Sequence, residues 1–403
     1  MDHQAPVSPV CPTDRIEDVL TQLDELDITS LLSELVARPS FEQEEMVGKY
    51  LLGRFRALGL ETTVTEISPG RFNVLAHYGP PGRQLILNSH MDTVPPGDEA
   101  AWSTSPLEPV ARGGRLYGRG ACDAKGPLAA MVAALEALVR SGISLRGRLT
   151  LMAVAYEETS ALGTIAEAER LAGDTAAIIG EPTELELHLA HKGVLRMRIT
   201  ALGRAAHAST PQEGVNAISG IARAIQALDD LGDEIARRRH PLVGHSSLAV
   251  TTIRGGMASN VIPDRCQIVI DRRLIPGEEL GDAQQEIEGT LRGLEDADPS
   301  LNMESEVHRS FPPSQTAADA PFVAALRQAG REALGREPEI GGFLACCDMW
   351  PFREREIPAL VFGPGELAQA HTTDEWVELA QVEAAARFYT LAALRWLGAE
   401  RRS

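Results

Sequence analysis

The sequence predicts an α/β fold in which a mostly parallel sheet is flanked by helices and a smaller α+β domain is inserted. The first observation is a set of short apolar runs of strand length, at residues 72–77, 84–88, 148–155 and 176–180. The second is a helical stretch rich in small residues, 126–139, between the second and third of these runs. The third is the return of this pattern late in the chain, with a helix at 321–334, a strand at 358–362 and a helix at 377–397.

The N-terminal part of the chain is expected to form a tail and then a helix. Three prolines before Asp14 predict that the first dozen residues form a loose tail. Ser40 followed by Gln43 resembles a capping box and predicts that a helix begins there. Gly59 is expected to end this helix, because glycine readily adopts the left-handed conformation found at helix C-termini.

The middle of the chain predicts the smaller α+β domain. Apolar and polar residues alternate over 195–201, which is typical of a half-exposed strand. An amphipathic helix, two strand-like runs and a second helix follow, at 216–239, 247–254, 267–274 and 282–294. The polar and acidic stretch 295–305 is expected to close this domain.

Charge and composition argue against several classes of protein. The chain has 38 Lys and Arg against 57 Asp and Glu, and its net charge of −19 repels nucleic-acid phosphates. No run reaches the roughly 18 apolar residues that a membrane span needs. Residues 1–20 are acidic and contain prolines, unlike a signal peptide. The five cysteines form no C-x-x-C pair and predict reduced thiols, so we expect a cytoplasmic protein without nucleic-acid or membrane partners.

Carboxylate or imidazole groups follow predicted strands, or precede a predicted helix, at five places. These are SHMDTVP at 89–95, GRGACDAKG at 118–126, AYEET at 155–159, GEPT at 180–183 and AHTTDE at 370–375. Because α/β proteins build their sites at the carboxyl ends of strands, we expect these groups to meet. Each segment alone also fits a solvated loop or a charged surface, and only the set of five favours a site.

The residue types in these segments indicate divalent cations. His90 and Asp92 lie two apart, so an extended chain directs both to one side, where a carboxylate can fix the tautomer of the imidazole. Asp123 has two oxygens with which it could bridge two cations. Glu157 and Glu158 repel each other, so one is expected to bind a cation while the other holds or takes a proton. Imidazole and carboxylate ligands without thiolate suit zinc, cobalt or manganese.

Two other interpretations of residues 118–126 are weaker. Cys122 could be a nucleophile, but a reactive thiolate needs electropositive surroundings and its neighbour is Asp123. A phosphate-binding loop would need a Gly-Lys-Ser/Thr ending, which this segment lacks. The segment is therefore interpreted as the source of a bridging aspartate.

These segments, together with HKGVLR, GRAAHAST, GGMASNVIPD, DRRLIPGE and FGPGELAQAHTTDE, resemble those of a zinc-dependent family. It includes acetylornithine deacetylase, succinyl-diaminopimelate desuccinylase, aminoacylase and glutamate carboxypeptidase. The resemblance implies two zinc ions per subunit, with cobalt as an alternative. One ion would be held by His90, Asp123 and Glu181, and the other by Asp123, Glu158 and His371. Asp92 would orient His90, and Glu157 would be the general base.

The resemblance also implies a domain layout and a homodimer. The catalytic domain would comprise residues 1–192 and 304–403, and a lid and dimerisation domain would comprise 193–303. His207 would reach the active site of a neighbouring subunit and stabilise the oxyanion. Asn260 and Arg273 would hold the carboxylate of the substrate, since a guanidinium can form paired hydrogen bonds with it.

The implied reaction is hydrolysis of the amide bond of an N-acyl-α-amino acid, with a metal-bound hydroxide as nucleophile. The motifs favour an activity like that of acetylornithine deacetylase. Succinyl-diaminopimelate desuccinylase and a dipeptidase or carboxypeptidase are the alternatives, so the substrate is expected to be a small N-acylated amino acid or a short peptide. A non-catalytic binding protein on the same scaffold is a further alternative.

The chain departs from the family pattern at residues 341–349. Many relatives have a Gly-Gly-Thr-Asp stretch here, whereas this segment is bulkier and carries Cys346 and Cys347 before Asp348. A disulfide between the two adjacent cysteines is conceivable, but reduced thiols are expected in a reducing compartment.

Overall fold

The computed structural model describes residues 13–400, so the predicted tail at 1–12 lies outside the described residues. The α-helices are α1 (Thr13–Asp24), α2 (Ile28–Val36), α3 (Glu45–Ala57), α4 (Lys125–Arg140), α5 (Leu162–Ala168), α6 (Ala217–Ile235), α7 (Leu280–Ala297), α8 (Pro321–Leu334), α9 (Trp350–Arg353) and α10 (Leu379–Leu397). Three short 3-10 helices lie at Glu99–Ala101, Pro211–Glu213 and Leu367–Gln369.

The first ten strands are β1 (Glu61–Ser68), β2 (Arg71–Tyr78), β3 (Gln84–His90), β4 (Val110–Arg112), β5 (Arg115–Tyr117), β6 (Arg148–Val154), β7 (Thr175–Ile179), β8 (Leu187–His191), β9 (Gly193–Leu202) and β10 (Ala206–His207). The next ten are β11 (Arg239–His240), β12 (Gly244–His245), β13 (Ser247–Gly255), β14 (Val261–Ile262), β15 (Arg265–Leu274), β16 (Asn302–Phe311), β17 (Ser314–Gln315), β18 (Ile340–Phe343), β19 (Ala359–Val361) and β20 (Trp376–Glu378).

The largest sheet has the strand order β1-β2-β6-β3-β7-β19-β8-β17, with β18 beside β8. The neighbours β6, β3, β7 and β19 run parallel, whereas β1, β2 and β8 pair antiparallel with their neighbours. The parallel strands are buried almost throughout, which explains why they show as continuous apolar runs in the sequence. The predicted α/β fold class is confirmed, with the parallel strands at the centre of the sheet.

Helix α4 lies in the interior and positions the loop before it. Nearly all of its residues are buried, and α10 packs against both α4 and α8. Gly126, the second residue of α4, lies where a side chain would not fit, because a Cβ there would lie 2.6 Å from the carbonyl oxygen of Ala121. This close approach holds the loop at 118–123 against the start of the helix.

The predicted capping box at Ser40 and Gln43 is wrong. Helix α3 begins at Glu45, and its N-cap residue, Glu44, makes no side-chain capping hydrogen bond. The Glu44 carboxylate instead accepts hydrogen bonds from Arg71, so its oxygens bind a distant residue and do not cap the helix. The expected helix end is confirmed, since Gly59 has a φ of 73°.

The chain forms two compact units, of which the second comprises Ala190–Ser314 and Gly342–Cys346. In this unit the sheet β13-β15-β9-β16 packs against α6 and α7 around a common apolar core. The predicted inserted domain ends near residue 303, whereas β16 continues this sheet to Phe311. The strand is hard to recognise in the sequence because few of its residues are apolar and most are exposed or only half-buried.

Among residues 13–400, no helix is both long enough and apolar enough to cross a membrane. Among the described cysteines, Cys122, Cys266 and Cys347 are buried and Cys346 is half-buried. The reduced state of these thiols stays a prediction.

His191, in the second unit, is fully buried. Its Nδ1 donates to the carbonyl oxygen of Lys192 at 3.0 Å, and its Nε2 has no hydrogen-bond partner in the described part of the chain. Burial lowers the pKa of His191 to about 4, and the hydrogen bond to Lys192 offsets only part of this effect. The ring is therefore neutral in the folded protein at neutral pH.

Acidification is expected to destabilise the protein through this residue. Below pH 6.5 the unfolded chain binds a proton at His191, whereas the folded chain binds one there only below about pH 4. The free energy of unfolding therefore falls by about 1.4 kcal/mol per pH unit as the pH is lowered across this window. Between pH 7 and pH 5, the free energy of unfolding of His191→Gln should therefore fall by about 2 kcal/mol less than that of the wild type, as measured by urea unfolding. The exposed His308→Gln is the control and should behave as the wild type; an equal pH response in all three proteins would contradict the prediction.

Candidate metal centre

The predicted ligands lie together at the carboxyl edge of the parallel strands in the first unit. His90 ends β3, Glu158 follows β6, Glu181 follows β7, and His371 lies in the loop after β19. Asp123 precedes α4. Because β6, β3, β7 and β19 are neighbours in the sheet, their loops bring these groups to one place.

Asp123 lies between two imidazole rings. Its Oδ1 is 3.1 Å from His90 Nε2, and its Oδ2 is 3.4 Å from His371 Nε2. Glu181 Oε1 lies 3.7 Å from His90 Nε2, and Glu158 lies 3.1 Å from His371 Nε2. The predicted ligands thus form two groups of three that share Asp123, with one of its oxygens facing each group. A carboxylate that bridges two cations needs this arrangement.

The protonation of the histidines reflects the surrounding negative charge. Burial lowers the pKa of His90, but its hydrogen bond to Asp123 and the charge of Glu181 outweigh burial and raise the pKa well above the usual value. Hydrogen bonds to Asp123 and Glu158 raise the pKa of His371 to about 10. Burial opposes ionisation of Asp123, yet the hydrogen bonds from both histidines hold its pKa below the usual range.

These residues fit divalent cations. Ligand atoms of His90, Asp123 and Glu158 all lie within 4.8 Å of one another. The nearby thiol of Cys122 points elsewhere and donates to the carbonyl oxygen of Glu366 at 3.4 Å, so the donor set consists of nitrogen and oxygen. Such a set suits zinc, cobalt or manganese, which would replace the protons that the histidines otherwise carry.

Asp92 contacts His90 through its main-chain oxygen, and Glu157 and Glu158 through its carboxylate. His90 Nδ1 donates to the main-chain oxygen of Asp92 at 2.8 Å, which leaves Nε2 directed at Asp123. The Asp92 carboxylate lies 3.7 Å from His90 Nδ1 and accepts the main-chain N–H groups of Glu157 and Glu158 at 3.2 and 3.1 Å. Asp92 therefore fixes the ring of His90 and the main chain at Glu157 and Glu158.

Glu157 has the properties of a proton acceptor. Burial, together with the negative charges of Glu181, Asp348 and Glu158, raises the pKa of Glu157 well above its usual value, although His90 acts in the opposite direction. A carboxylate with raised proton affinity takes up a proton more readily near neutral pH.

Glu375 is a positioning residue that the sequence analysis missed. Its carboxylate accepts four hydrogen bonds, from Arg119 Nη1 at 2.7 Å and from the main-chain N–H groups of Gly120, Cys122 and Asp123 at 2.9–3.0 Å. It ties the loop that carries His371 to the loop that carries Asp123. The signal was present in the segment AHTTDE, but an acidic residue after a histidine does not by itself reveal a buried partner so distant in the sequence.

The other three predicted site residues belong to the second unit. His207 and Asn260 lie together, since the N–H of Ala208 donates to the carbonyl oxygen of Asn260 and β10 pairs with β14. Arg273 lies near the C-terminal end of β15, where its guanidinium donates to Asp271 at 2.6 and 3.3 Å. At about 3.3 Å per residue, β15 separates Arg273 from Arg265, which follows Asn260 by five residues in the sequence, by about 26 Å.

Known proteins with the same sequence features identify the family. Residues 86–395 match the model of peptidase family M20/M25/M40. The chain belongs to this family. The resemblance to the family that includes acetylornithine deacetylase, predicted from the motifs, is therefore confirmed.

Relatives cover most of the chain. Acetylornithine deacetylase of Proteus mirabilis is 32% identical over 371 residues, which are 88% of this chain and 92% of that protein. Acetylornithine deacetylase of Klebsiella pneumoniae is 34% identical over 359 residues, 85% of this chain and 91% of that protein. An M20 family metallo-carboxypeptidase from Sulfolobus solfataricus shares the fold, with a TM-score of 0.78 at 18% identity over 92% of this chain and 99% of that chain. As a member of this family, the protein with the sequence analysed above is a metal-dependent enzyme that hydrolyses amide bonds.

Glu375→Gln is expected to destabilise the metal-free protein strongly. The substitution leaves Arg119, which is almost fully buried, without a counter-charge, at a cost of about 3–5 kcal/mol. Glu378→Gln is the matched control, because Glu378 pairs with the half-exposed Arg115 at 3.3 Å and its loss should cost less than about 1 kcal/mol. Urea unfolding of both variants checks this, and similar losses of stability would contradict the role given to Glu375.

Proposed function

We propose that the protein removes the acyl group from an N-acyl-α-amino acid, with N-acetylated amino acids such as N-acetylornithine as its substrates. The sharing of Asp123 between two groups of ligands supports hydrolysis, and the relatives that cover most of the chain support this class of substrate. Succinyl-diaminopimelate desuccinylase and dipeptidase activities need the same centre and are the alternatives.

Two zinc ions, or cobalt in their place, are the proposed cofactors. His90, Asp123 and Glu181 would hold one ion, and Asp123, Glu158 and His371 would hold the other. When bound, such ions polarise a carbonyl group and lower the pKa of water. The remaining steps depend on protons and hydrogen bonds that the chain itself supplies.

Glu157 is the proposed catalytic base. It would take a proton from the attacking water and pass it to the leaving amine, so that a single carboxylate serves both halves of the reaction. Its raised pKa and the hydrogen bond that fixes its main chain to Asp92 support this role. Arg273 would hold the carboxylate of the substrate in exchange for part of its contact with Asp271.

We propose further that the protein is a homodimer in which His207 and Asn260 serve the site of the partner subunit. An N-acyl amino acid has the reach of about two residues, or about 7 Å, and cannot contact both Arg273 and the distant pair in one chain. A second copy would supply His207, which would stabilise the oxyanion, and Asn260.

The edge of the second unit supports an interface between two copies. Strand β13 ends its sheet, and its edge carries exposed Ile253, followed by Met257, which is 94% exposed. The exposed Ile218 on α6 lies close to Gly256, between these two residues in the sequence. An exposed apolar edge strand favours pairing with another strand, and a second β13 related by a twofold axis would cover it.

The proposed location is the cytoplasm. The five cysteines of the sequence form no C-x-x-C pair, and two of them, Cys346 and Cys347, are adjacent. A reducing compartment keeps such thiols reduced.

A survey of substrates tests the proposed activity. Zinc-loaded protein of known metal content would be assayed for kcat/KM with N-acetyl amino acids, N-succinyl amino acids and free dipeptides. We expect N-acetyl amino acids, including N-acetylornithine, to give the highest values. Turnover of free dipeptides alone would contradict the deacylase activity, and a metal-loaded protein that hydrolyses none of them would favour a binding function.

Glu157→Gln is expected to lower kcat by at least about 10²–10⁴-fold, because no group remains to carry the proton. Two metal ions per chain should still bind, since Glu157 is not among the proposed ligands. Metal analysis and an activity assay check both statements, and the exposed Glu184→Gln provides a control that should retain activity. Retained turnover in Glu157→Gln would exclude its role as the base.

The same variant also tests the contribution of the partner subunit. Glu157→Gln and His207→Ala chains should each be nearly inactive alone, whereas co-expressed chains should regain about a quarter of wild-type activity. Half of randomly formed dimers would be mixed, and each mixed dimer would have one complete site of two. A co-expressed sample no more active than its parents would contradict the exchange of His207 between subunits.

A further inference from the structure

A buried ion pair lies behind the turn that carries Glu157 and Glu158. Arg71, on β2, donates from Nε to the two carboxylate oxygens of Glu44 at 3.0 and 2.8 Å, and its Nη2 donates to the same carboxylate. The Glu44 side chain is fully buried and that of Arg71 is only 15% exposed. Neither residue belongs to the ligand set or to the residues that the sequence motifs indicate.

This ion pair contacts the ring and the main chain of Tyr156, and Ser68 contacts its hydroxyl group. The guanidinium carbon of Arg71 lies 3.5 Å from the centroid of the Tyr156 ring. The main-chain N–H of Tyr156 donates to Glu44 Oε1 at 3.3 Å, and the Tyr156 hydroxyl lies 2.7 Å from Ser68 Oγ.

Tyr156 needs this support because its backbone conformation is unfavourable. Its φ of 71° lies in the left-handed region, which an aromatic residue rarely adopts. Its carbonyl oxygen accepts the N–H groups of Ser160 and Ala161 at 2.9 and 2.7 Å, which closes a tight turn. Glu157 and Glu158 lie within this turn, so their direction depends on how Tyr156 is held.

We propose that Glu44 and Arg71 are positioning residues that keep Glu158 beside His371 and Glu157 beside the centre. This inference rests on the proposed function, in which Glu158 binds a cation and Glu157 moves a proton. The Asp92 carboxylate fixes the same two residues from the other side, and Arg71 Nη2 lies 3.9 Å from Asp92 Oδ2. Loss of Arg71 would release the Tyr156 ring and leave the buried Glu44 charge unpaired, so the turn would relax and Glu158 would move.

The test compares Arg71→Met with Arg54→Met in the full-length protein. Arg54 is a matched control because it also donates twice to a buried glutamate, Glu136, at 3.0 and 2.7 Å. Glu136 lies about 16 Å along α4 from the first residue of that helix. Binding of Co²⁺ to the metal-stripped proteins would be measured by calorimetry and by the visible absorption of the bound ion.

Arg71→Met should weaken one of the two Co²⁺ binding steps by about 10–100-fold and change the absorption of that ion, as expected for residues that orient ligands. Arg54→Met should bind both ions as the wild type does, although both variants lose an ion pair. Wild-type affinity for both ions in Arg71→Met, or an equal loss in Arg54→Met, would overturn the proposal. A wild-type protein that binds no Co²⁺ would overturn the proposed function itself.

Arg71→Lys provides the same test if Arg71→Met does not fold. Lysine keeps the positive charge but lacks the planar fork that binds Glu44 and stacks on Tyr156. We expect at least a tenfold loss in the same Co²⁺ binding step, and wild-type affinity in this variant would overturn the proposal.

Discussion

The carboxylate of Asp123 is the group on which the rest of the site depends, because each of its oxygens faces a different histidine. Glu158 and Glu181 bring two further carboxylates into the same small space. These groups repel one another, and their negative charge raises the pKa of both histidines, which favours bound protons there in the metal-free protein. The same conflict creates the affinity for divalent cations, since ions of higher charge can take the place of those protons.

The fold keeps these groups in place with buried polar contacts in the loops. The parallel strands bring the loops to one edge, but the strands themselves end before most of the ligands. Glu375 fixes the main chain at Asp123, and Asp92 fixes the main chain at Glu157 and Glu158. Each of these carboxylates accepts hydrogen bonds from main-chain N–H groups, so the direction of a predicted ligand depends on a residue outside the predicted ligand set.

The sequence was sufficient for the parts of the molecule that depend on local patterns and on residue chemistry. Buried parallel strands appear as apolar runs, and the histidines and carboxylates after them have the types that metals require. The contacts of Arg71 and Glu375 could not be predicted, because their partners are 27 and up to 256 residues away in the sequence. The local pattern at Ser40 and Gln43 was misleading, since α3 begins at Glu45 and the carboxylate of its N-cap residue, Glu44, binds Arg71. Strand β16 gave a weak signal because the sheet buries so little of it.

Diffraction at the zinc absorption edge, from crystals of the full-length protein grown with zinc, tests most directly whether Asp123 is shared between two ions. We expect two anomalous peaks about 3.5–4 Å apart, one beside His90 and Glu181 and the other beside His371 and Glu158, with the Asp123 carboxylate between them. A single peak, or two peaks of which neither is bound by Asp123, would contradict the shared centre.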